Sequence, residues 1–361
     1  MAIHLRYCVL SHARAWTAAV GTLLTLLVVG GMSACDADLP PLDDQVVLTV
    51  PQGCNPLAFE HDCLLPYPSN FFLQPDDKTA SGKRVQITPA AMLRTRRDAD
   101  VDFTSTHPVD GFSHHMPILT YFSQGVSTHG VVFHTDDPSR SLLPTSKVLL
   151  IDAESGMPEA VWAELDMNTT EPSEQAFIIR PFGRLQNSRR YIVALQGLLS
   201  ADGATLPAPW GFARIRDGKA SRVPALQPLS ARYEKEIFPV LSRLGVDRAA
   251  LQLAWDFTTS SEASNSTDLL TLRADLIPKL QANPPAVTVG KVTEYSKMEN
   301  ENIWLRVEGT IRVPLYLDST QIGAKLHRDA RGQVAVNGDA EVPFTLQVPH
   351  SANPTDLNFQ P

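Results

Sequence analysis

The stretch IIRPFGRLQNSRRYIVALQGLLSADGATL, residues 178–206, decides the fold class. It contains two apolar runs, the first closed by Pro181 and the second followed by a hairpin-like turn at Asp202-Gly203. Runs of this kind, bounded by turn residues, are typical of β-strands. Comparable runs recur upstream every ~10–15 residues, which favours an antiparallel sandwich over parallel βαβ units. They are PILTYFS (117–123), GVVFH (130–134), SKVLLID (146–152) and PEAVWAELD (158–166).

These runs predict a mainly β protein with some helix. Residues 46–206 are expected to form an N-terminal β domain, with the antiparallel sandwich at about 116–206. The ring of Tyr191 is expected in the core, and Val148 and Leu150 are expected to share one face of their strand, as the two-residue period requires. The other predicted buried side chains are Phe122, Val148, Leu150, Ile178, Ile192 and Leu195.

The composition limits the class of protein. The chain has 361 residues, 43% of them hydrophobic and 19% charged, which predicts a globular protein of two or three domains. It has a single long uncharged apolar stretch, which excludes a multi-spanning membrane protein. Its net charge of −8, with no face rich in Lys or Arg, argues against a nucleic-acid partner.

Residues 1–34 have the layout of a secretory signal peptide. Arg6 and Arg14 form a basic start, and an uncharged apolar segment follows. The tetrapeptide MSAC (32–35) resembles a bacterial lipobox, which is cut before its Cys and lipidated on it. Cys35 is therefore the predicted lipidation site. A plain signal peptide and an uncleaved membrane anchor are the alternatives.

The predicted lipid anchor fixes the expected location. Residues 35–45 are acidic and contain prolines, as in an extended tether. We therefore expect an exported lipoprotein of the cell envelope whose partner is the membrane, periplasmic or at the cell surface.

Two cysteines remain in the body of the chain, Cys54 and Cys63, within CNPLAFEHDC. Two thiols alone in an oxidising compartment are expected to pair, so a disulfide is predicted. The alternative is a redox or metal site that also uses His61. A zinc site of this kind would lack a fourth ligand at the usual spacing.

The later part of the chain mixes helix and strand. Within residues 207–285, SARYEKEIFPVLSRLG (230–245) predicts a helix kinked at its internal proline, and LQLAWDF (251–257) predicts a strand. A second helix is expected to start at a cap within residues 266–268. Residues 286–361 are again rich in β-formers.

The opening stretch, together with PILTYFSQGVS, resembles bacterial Ig-like domains of the S-layer type. The resemblance covers about 90 residues, 116–206, and implies an Ig-like sandwich. The matching positions are Leu185, Tyr191, Val193, Leu198, Asp202 and Gly203.

A second resemblance covers most of the body. The segments YPSNFF, DGFSHHMPILTYF, RYIVAL and LAWDFTTSS, in this order, resemble the N-terminal region of the bacterial virulence-factor lipase family and related exported α/β-hydrolases. EGTIRVPLYL and EVPFTLQVPHSANP resemble the first strands of the hydrolase, so residues 286–361 are expected to begin a truncated α/β-hydrolase domain. The resemblance implies that the catalytic part lies downstream in cis, beyond Pro361.

A catalytic site is not expected within these residues. The hydrolase nucleophile sits in a G-x-S-x-G elbow. Gly111-Phe112-Ser113 lacks the closing Gly and leads into a strand, so a turn is expected there. His114 and His115 are expected to be polar surface residues. No cofactor or metal is assigned: Asp76-Asp77 and Asp136-Asp137 are interpreted as turns, Glu164 and Asp166 as a weak carboxylate pair, and Trp162, Trp210, Trp255 and Trp304 as core residues.

Two functions from different classes follow. The first is the non-catalytic N-terminal part of a lipid-anchored ester hydrolase, which presents or supports the catalytic domain. The second is a non-catalytic Ig-like lipoprotein of the cell surface, for adhesion or envelope scaffolding. Reading the coding sequence beyond residue 361 for a G-x-S-x-G elbow separates them.

Overall fold

The computed structural model describes residues 48–101 and 108–354. The predicted signal peptide, Cys35 and the predicted tether lie outside the described residues. The described part is mainly β with few helices, and its strands pair antiparallel in several sheets. None of its helices combines the length and the apolar character needed to cross a bilayer.

The N-terminal segment is largely irregular and is fixed by later parts of the chain. The Trp255 indole Nε1–H donates to Pro68 O at 2.8 Å, and Tyr67 exchanges backbone hydrogen bonds with Leu119. Its four short strands form two two-stranded pairs: β1 (Leu73–Pro75) with β2 (Lys83–Val85), and β3 (Leu93–Arg94) with β4 (Asp100–Val101).

Two antiparallel sheets and one shared hydrophobic core form the centre of the protein. The three-stranded sheet has the order β5–β9–β8, and the four-stranded sheet has the order β7–β6–β10–β11. The strands are β5 (Ile118–Thr120), β6 (Val148–Asp152), β7 (Pro158–Glu159), β8 (Val161–Leu165), β9 (Phe177–Pro181), β10 (Arg190–Gln196) and β11 (Leu251–Thr258). Strand β11 lies within residues 207–285, which were predicted to mix helix and strand. The four-stranded sheet therefore extends beyond residue 206, the predicted end of the N-terminal β domain.

Six of the seven side chains predicted to be buried in this core are buried, although β6 and β11 are buried along their whole length and do not alternate. Tyr191 and the predicted residues Phe122, Val148, Leu150, Ile192 and Leu195 are buried. The prediction for Ile178 is wrong: it is half-buried, and its neighbours Phe177 and Ile179 are buried. Because three apolar residues follow one another here, the sequence does not show which of them face the core. Strand pairing decides this, because Ile178 lies opposite the half-buried Glu164.

Three helices pack beside β11. They are α1 (Trp210–Arg216), α2 (Gln227–Glu236) and α3 (Phe238–Arg243). The buried Tyr233 hydroxyl donates to Ala254 O at 2.8 Å and so ties α2 to β11. The kink predicted within 230–245 is confirmed: the helix breaks at Ile237, and Pro239 lies in the first turn of α3.

Helix α4 (Glu262–Ala282) leads to the C-terminal sheet. The predicted start within 266–268 is wrong, because Ser261 caps the helix and its Oγ accepts from Ser264 N at 3.0 Å. No residue of α4 is buried. The C-terminal sheet has the order β12–β13–β14 and confirms the β-rich prediction: β12 (Val287–Glu294), β13 (Ile303–Pro314) and β14 (Asp339–Pro349).

Candidate functional site

The weak nucleophile motif around Ser113 is not organised as a catalytic pair. Ser113 is exposed, and within residues 48–101 and 108–354 its Oγ accepts from His115 N alone, at 3.4 Å. The prediction that His114 is a surface residue is wrong, because its side chain is buried. Its Nε2 lies 3.1 Å from Ser260 O, and its Nδ1 lies 3.3 Å from Asn265 Nδ2. Both ring nitrogens are therefore engaged in joining this segment to the start of α4.

Asp110 makes a second link to α4. Its Oδ1 accepts from Ser261 N at 2.9 Å, and its Oδ2 accepts from Ser261 Oγ at 2.6 Å. Gly111 permits this approach, since a Cβ there would lie 2.6 Å from the Ser260 backbone. Residues 110–114, which include the Ser113 motif, thus hold the start of α4 in place through Asp110 and His114.

The carboxylate of Glu164, which the sequence offered as half of a weak carboxylate pair, also has a partner in the fold. Glu164 pairs with Arg180 at 2.7 Å across the three-stranded sheet. Within residues 48–101 and 108–354, no Ser side chain is hydrogen-bonded to an imidazole, and no group of three His, Cys, Asp or Glu residues is arranged to hold a metal ion. Of the four tryptophans predicted to be core residues, Trp255 is fully buried, whereas Trp162, Trp210 and Trp304 are only half-buried.

The predicted disulfide between Cys54 and Cys63 is confirmed. It closes the loop 54–63, which also has a backbone hydrogen bond from Asn55 N to Cys63 O at 2.9 Å. The Asp62 carboxylate accepts from Leu64 N and Leu65 N at 2.7 and 2.8 Å. The two ends of the loop are therefore held rigidly.

A groove of about 250 Å³ opens beside this loop. We call it the aromatic groove. It is formed by three separate segments of the chain: the disulfide loop, the segment after β5 and the start of α1. Its main lining residues are Glu60, His61, Tyr121, Gln124, Pro207 and Trp210.

The side chains of Glu60, His61 and Tyr121 in the groove are held by contacts within the protein. His61 stacks on Tyr121 with ring centroids 3.5 Å apart, and the Tyr121 hydroxyl donates to Ser173 O. Glu60 Oε1 accepts from Trp210 N at 2.6 Å. Gly211 allows α1 to reach the loop, because a Cβ there would overlap the backbone at Pro56.

A buried charge network ties β11 to α2. The Asp256 carboxylate is 2% exposed and receives both terminal nitrogens of Arg232, at 2.8 and 2.5 Å. Arg190 and Asn70 also donate to it, at 3.2 and 2.9 Å. Burying a carboxylate is costly unless it is paired and hydrogen-bonded, and here it is both.

The C-terminal sheet is apolar on one face and polar on the other. Strand register places Thr288, Lys291, Arg306, Glu308 and Gln347 on the polar face. The opposite face, which we call the apolar face, carries Val287, Val289, Val292, Leu305, Val307, Ile311, Val313, Ala340, Val342, Phe344, Leu346 and Val348.

The apolar face is open to solvent in this chain. Val289 and Val292 are 57% and 56% exposed, and Leu346 is 54% exposed. From strand spacing and length, the face covers roughly 500 Å². Apolar patches of this size on a protein surface are often interaction sites.

In comparisons with known proteins, no family model and no curated protein sequence matched this chain.

Proposed function

We propose that this chain is the non-catalytic N-terminal part of a lipid-anchored, exported ester hydrolase of the lipase or esterase type. Its role is to present or support a catalytic α/β-hydrolase domain in cis. The observation that carries the proposal is the exposed apolar face of the C-terminal sheet. A sheet with one apolar face is stable when a second layer of structure packs on that face.

The position of this face agrees with the family resemblance. Its strands β13 and β14 overlap the segments 308–317 and 341–354 that resemble the first strands of the hydrolase. In the proposal, further elements of the hydrolase domain cover the apolar face. The polar face, with residues such as Arg306 and Glu308, remains in water.

The central sheets serve in this proposal as an Ig-like spacer. The Tyr191 hydroxyl accepts from Gln186 N at 3.0 Å, five residues upstream, at the start of β10. A Tyr bonded back to the preceding backbone at such a corner is a feature of Ig-like sandwiches. The disulfide supports export, since such bonds persist in oxidising compartments.

The catalytic part of the proposal is tested by ester hydrolysis. The present chain and a product extended by the downstream coding sequence are purified and assayed with p-nitrophenyl butyrate. We expect turnover by the extended product alone, because covalent catalysis needs a nucleophile, a base and an oxyanion hole together. Turnover by the present chain that is lost in Ser113→Ala would overturn the proposal.

The anchoring part is tested separately by mass spectrometry of membrane-extracted protein. We expect an N-terminal, acylated Cys35, and no membrane retention of a Cys35→Ala variant. Cleavage at another position, or retention of residues 1–34, contradicts the lipid anchor.

The second candidate is a cell-surface lipoprotein for adhesion or envelope scaffolding. The aromatic groove favours it, because a preformed groove with anchored aromatic side chains is suited to ligand binding without catalysis. An extended product that has no G-x-S-x-G elbow and no esterase activity would favour this candidate over the first.

A further inference from the structure

We propose that the aromatic groove is a binding site for a neutral saccharide, accommodating one pyranose ring. The inference does not depend on the ester hydrolase proposal, because the groove and the apolar face use different residues. It rests on the shape, the ring surfaces, the hydrogen-bonding groups and the charge of the groove.

The volume selects a small ligand. At about 250 Å³ the groove is below the ~300–1,000 Å³ typical of sites for drug-sized molecules. It therefore suits one ring of a longer molecule or a small free molecule. Because it is open, neighbouring rings of an oligosaccharide can continue into solvent.

Flat ring surfaces line the groove. His61 and Tyr121 are stacked with an interplanar angle of 17°, so each covers one face of the other, and the outer face of the exposed His61 ring remains available. Trp210 is held by the Phe59 ring edge at 6.0 Å, and Pro207 adds further apolar lining. Ring faces pack well against the C–H face of a pyranose, which is apolar although the ring edge carries hydroxyls.

Polar groups with spare hydrogen-bonding capacity lie beside these rings. Glu60 uses Oε1 for Trp210 N, and within the described residues its Oε2 accepts no hydrogen bond. The Gln124 amide oxygen is bonded by Ser123 Oγ, whereas its Nε2 donates to none of the described residues. Neighbouring hydroxyls of a sugar can satisfy such donors and acceptors.

The charges disfavour ionic ligands of either sign. The Arg214 guanidinium lies over the Trp210 ring at 4.6 Å, which disfavours a cation at that ring. The Glu60 carboxylate disfavours phosphate and other anions. A neutral ligand with an apolar face and several hydroxyls fits both conditions.

Binding is measured on the full chain by titration calorimetry and tryptophan fluorescence. The probes are cellobiose, maltose, lactose and the trimer of N-acetylglucosamine, and a separate pull-down uses purified peptidoglycan sacculi. Kd values of about 1 mM are expected for such small ligands. Binding to the soluble sugars alone identifies a free saccharide as the source, and sedimentation with sacculi identifies an envelope glycan.

Variants locate the site. We expect His61→Ala and Trp210→Phe each to raise Kd at least about tenfold, with unchanged thermal unfolding for the exposed His61 variant. Glu60→Gln keeps an oxygen for Trp210 N and is expected to weaken binding by removing the carboxylate acceptor. The matched control is Trp162→Phe, because Trp162 is also half-buried, with Phe133 edge-on at 5.9 Å and Arg180 at 5.5 Å.

Two results overturn the proposal. The first is that no soluble sugar and no sacculus preparation binds. The second is that binding is observed but is unchanged in His61→Ala, Glu60→Gln and Trp210→Phe, which would place the ligand elsewhere. An equal loss in Trp162→Phe and Trp210→Phe also contradicts a site in the aromatic groove.

Discussion

At the scale of the residue, buried polar groups hold distant segments together. Tyr191 is fully buried against Phe257, with ring centroids 5.8 Å apart, and its hydroxyl has a backbone partner. His114 is buried with both nitrogens bonded to the segment 260–265. Each side chain therefore contributes both packing and a hydrogen bond, and substitutions can separate the two.

The first prediction concerns Tyr191. Tyr191→Ala removes a fully buried ring, so we expect a loss of about 3–5 kcal/mol in the free energy of unfolding. Tyr191→Phe keeps the ring and removes only the acceptor for Gln186 N, so a loss of about 1 kcal/mol is expected. Urea denaturation measures both. Equal losses in the two variants would show that the ring packing has been misassigned.

The second prediction concerns pH. Burial, and then the charge of Arg184, lower the pKa of His114 from its ordinary value of 6.5. The unfolded chain therefore takes up the proton first, and stability falls as the pH drops from about 6.5 toward the lower pKa of the folded state. Denaturation at pH 7.5 and pH 5.5 measures the decrease.

Two variants isolate this contribution. We expect His114→Gln to show a smaller decrease between the two pH values, although it is less stable at both. His115→Gln, at the exposed neighbouring position, is expected to retain the full decrease. The assignment fails if the two variants have the same pH dependence.

At the scale of the element, local patterns predicted which segments form strands and helices. The strands around Tyr191 and the interruption near Pro239 follow from residues close in sequence. The start of α4 does not, because Ser261 is selected as its cap with help from Asp110, 151 residues away. Which side chains of β9 face the core is likewise decided by the partner strand, in which Glu164 lies opposite Ile178.

The aromatic groove could not have been predicted for the same reason. Its lining comes from segments near residues 60, 121 and 210, and no pattern within any one of them indicates the others. His61 and Trp210 were each noticed in the sequence, but as a weak metal ligand and a core residue. Only the fold brings them to the same groove.

The third prediction compares two ion pairs between elements. Asp256→Ala leaves Arg232 and Arg190 without their buried partner, so we expect a loss of about 3–5 kcal/mol. The matched control is Asp268→Ala in α4, whose pair with Arg328 is exposed, with an expected loss below about 1 kcal/mol. Chemical denaturation in low and high salt measures both. Similar losses would contradict the role assigned to burial.

At the scale of the whole molecule, the central sheets are covered and the C-terminal sheet is not. The strands β6 and β11 are buried along their whole length, whereas β12 is almost entirely exposed. In the chain alone, the apolar face is therefore in contact with water. That difference predicts how the purified chain behaves in solution.

The fourth prediction is self-association through the apolar face. We expect the purified chain to form oligomers as its concentration rises, because burying exposed Val and Leu side chains is favourable at about 25 cal/mol per Å². Val289→Lys with Leu346→Lys is expected to keep it monomeric in sedimentation experiments. The pair Thr288→Lys and Gln347→Lys, on the polar face, is the control and should not change the association.

The long-range bonds of the N-terminal segment bear on when the protein can fold. Pro68 receives its hydrogen bond from Trp255, 187 residues later, and Asn70 bonds to Asp256, 186 residues later. A ribosome must therefore synthesise most of the chain before the first part finds its partners. Folds with such distant contacts form slowly. For the export proposed above, this delay would help the polypeptide to stay unfolded until it has crossed the membrane.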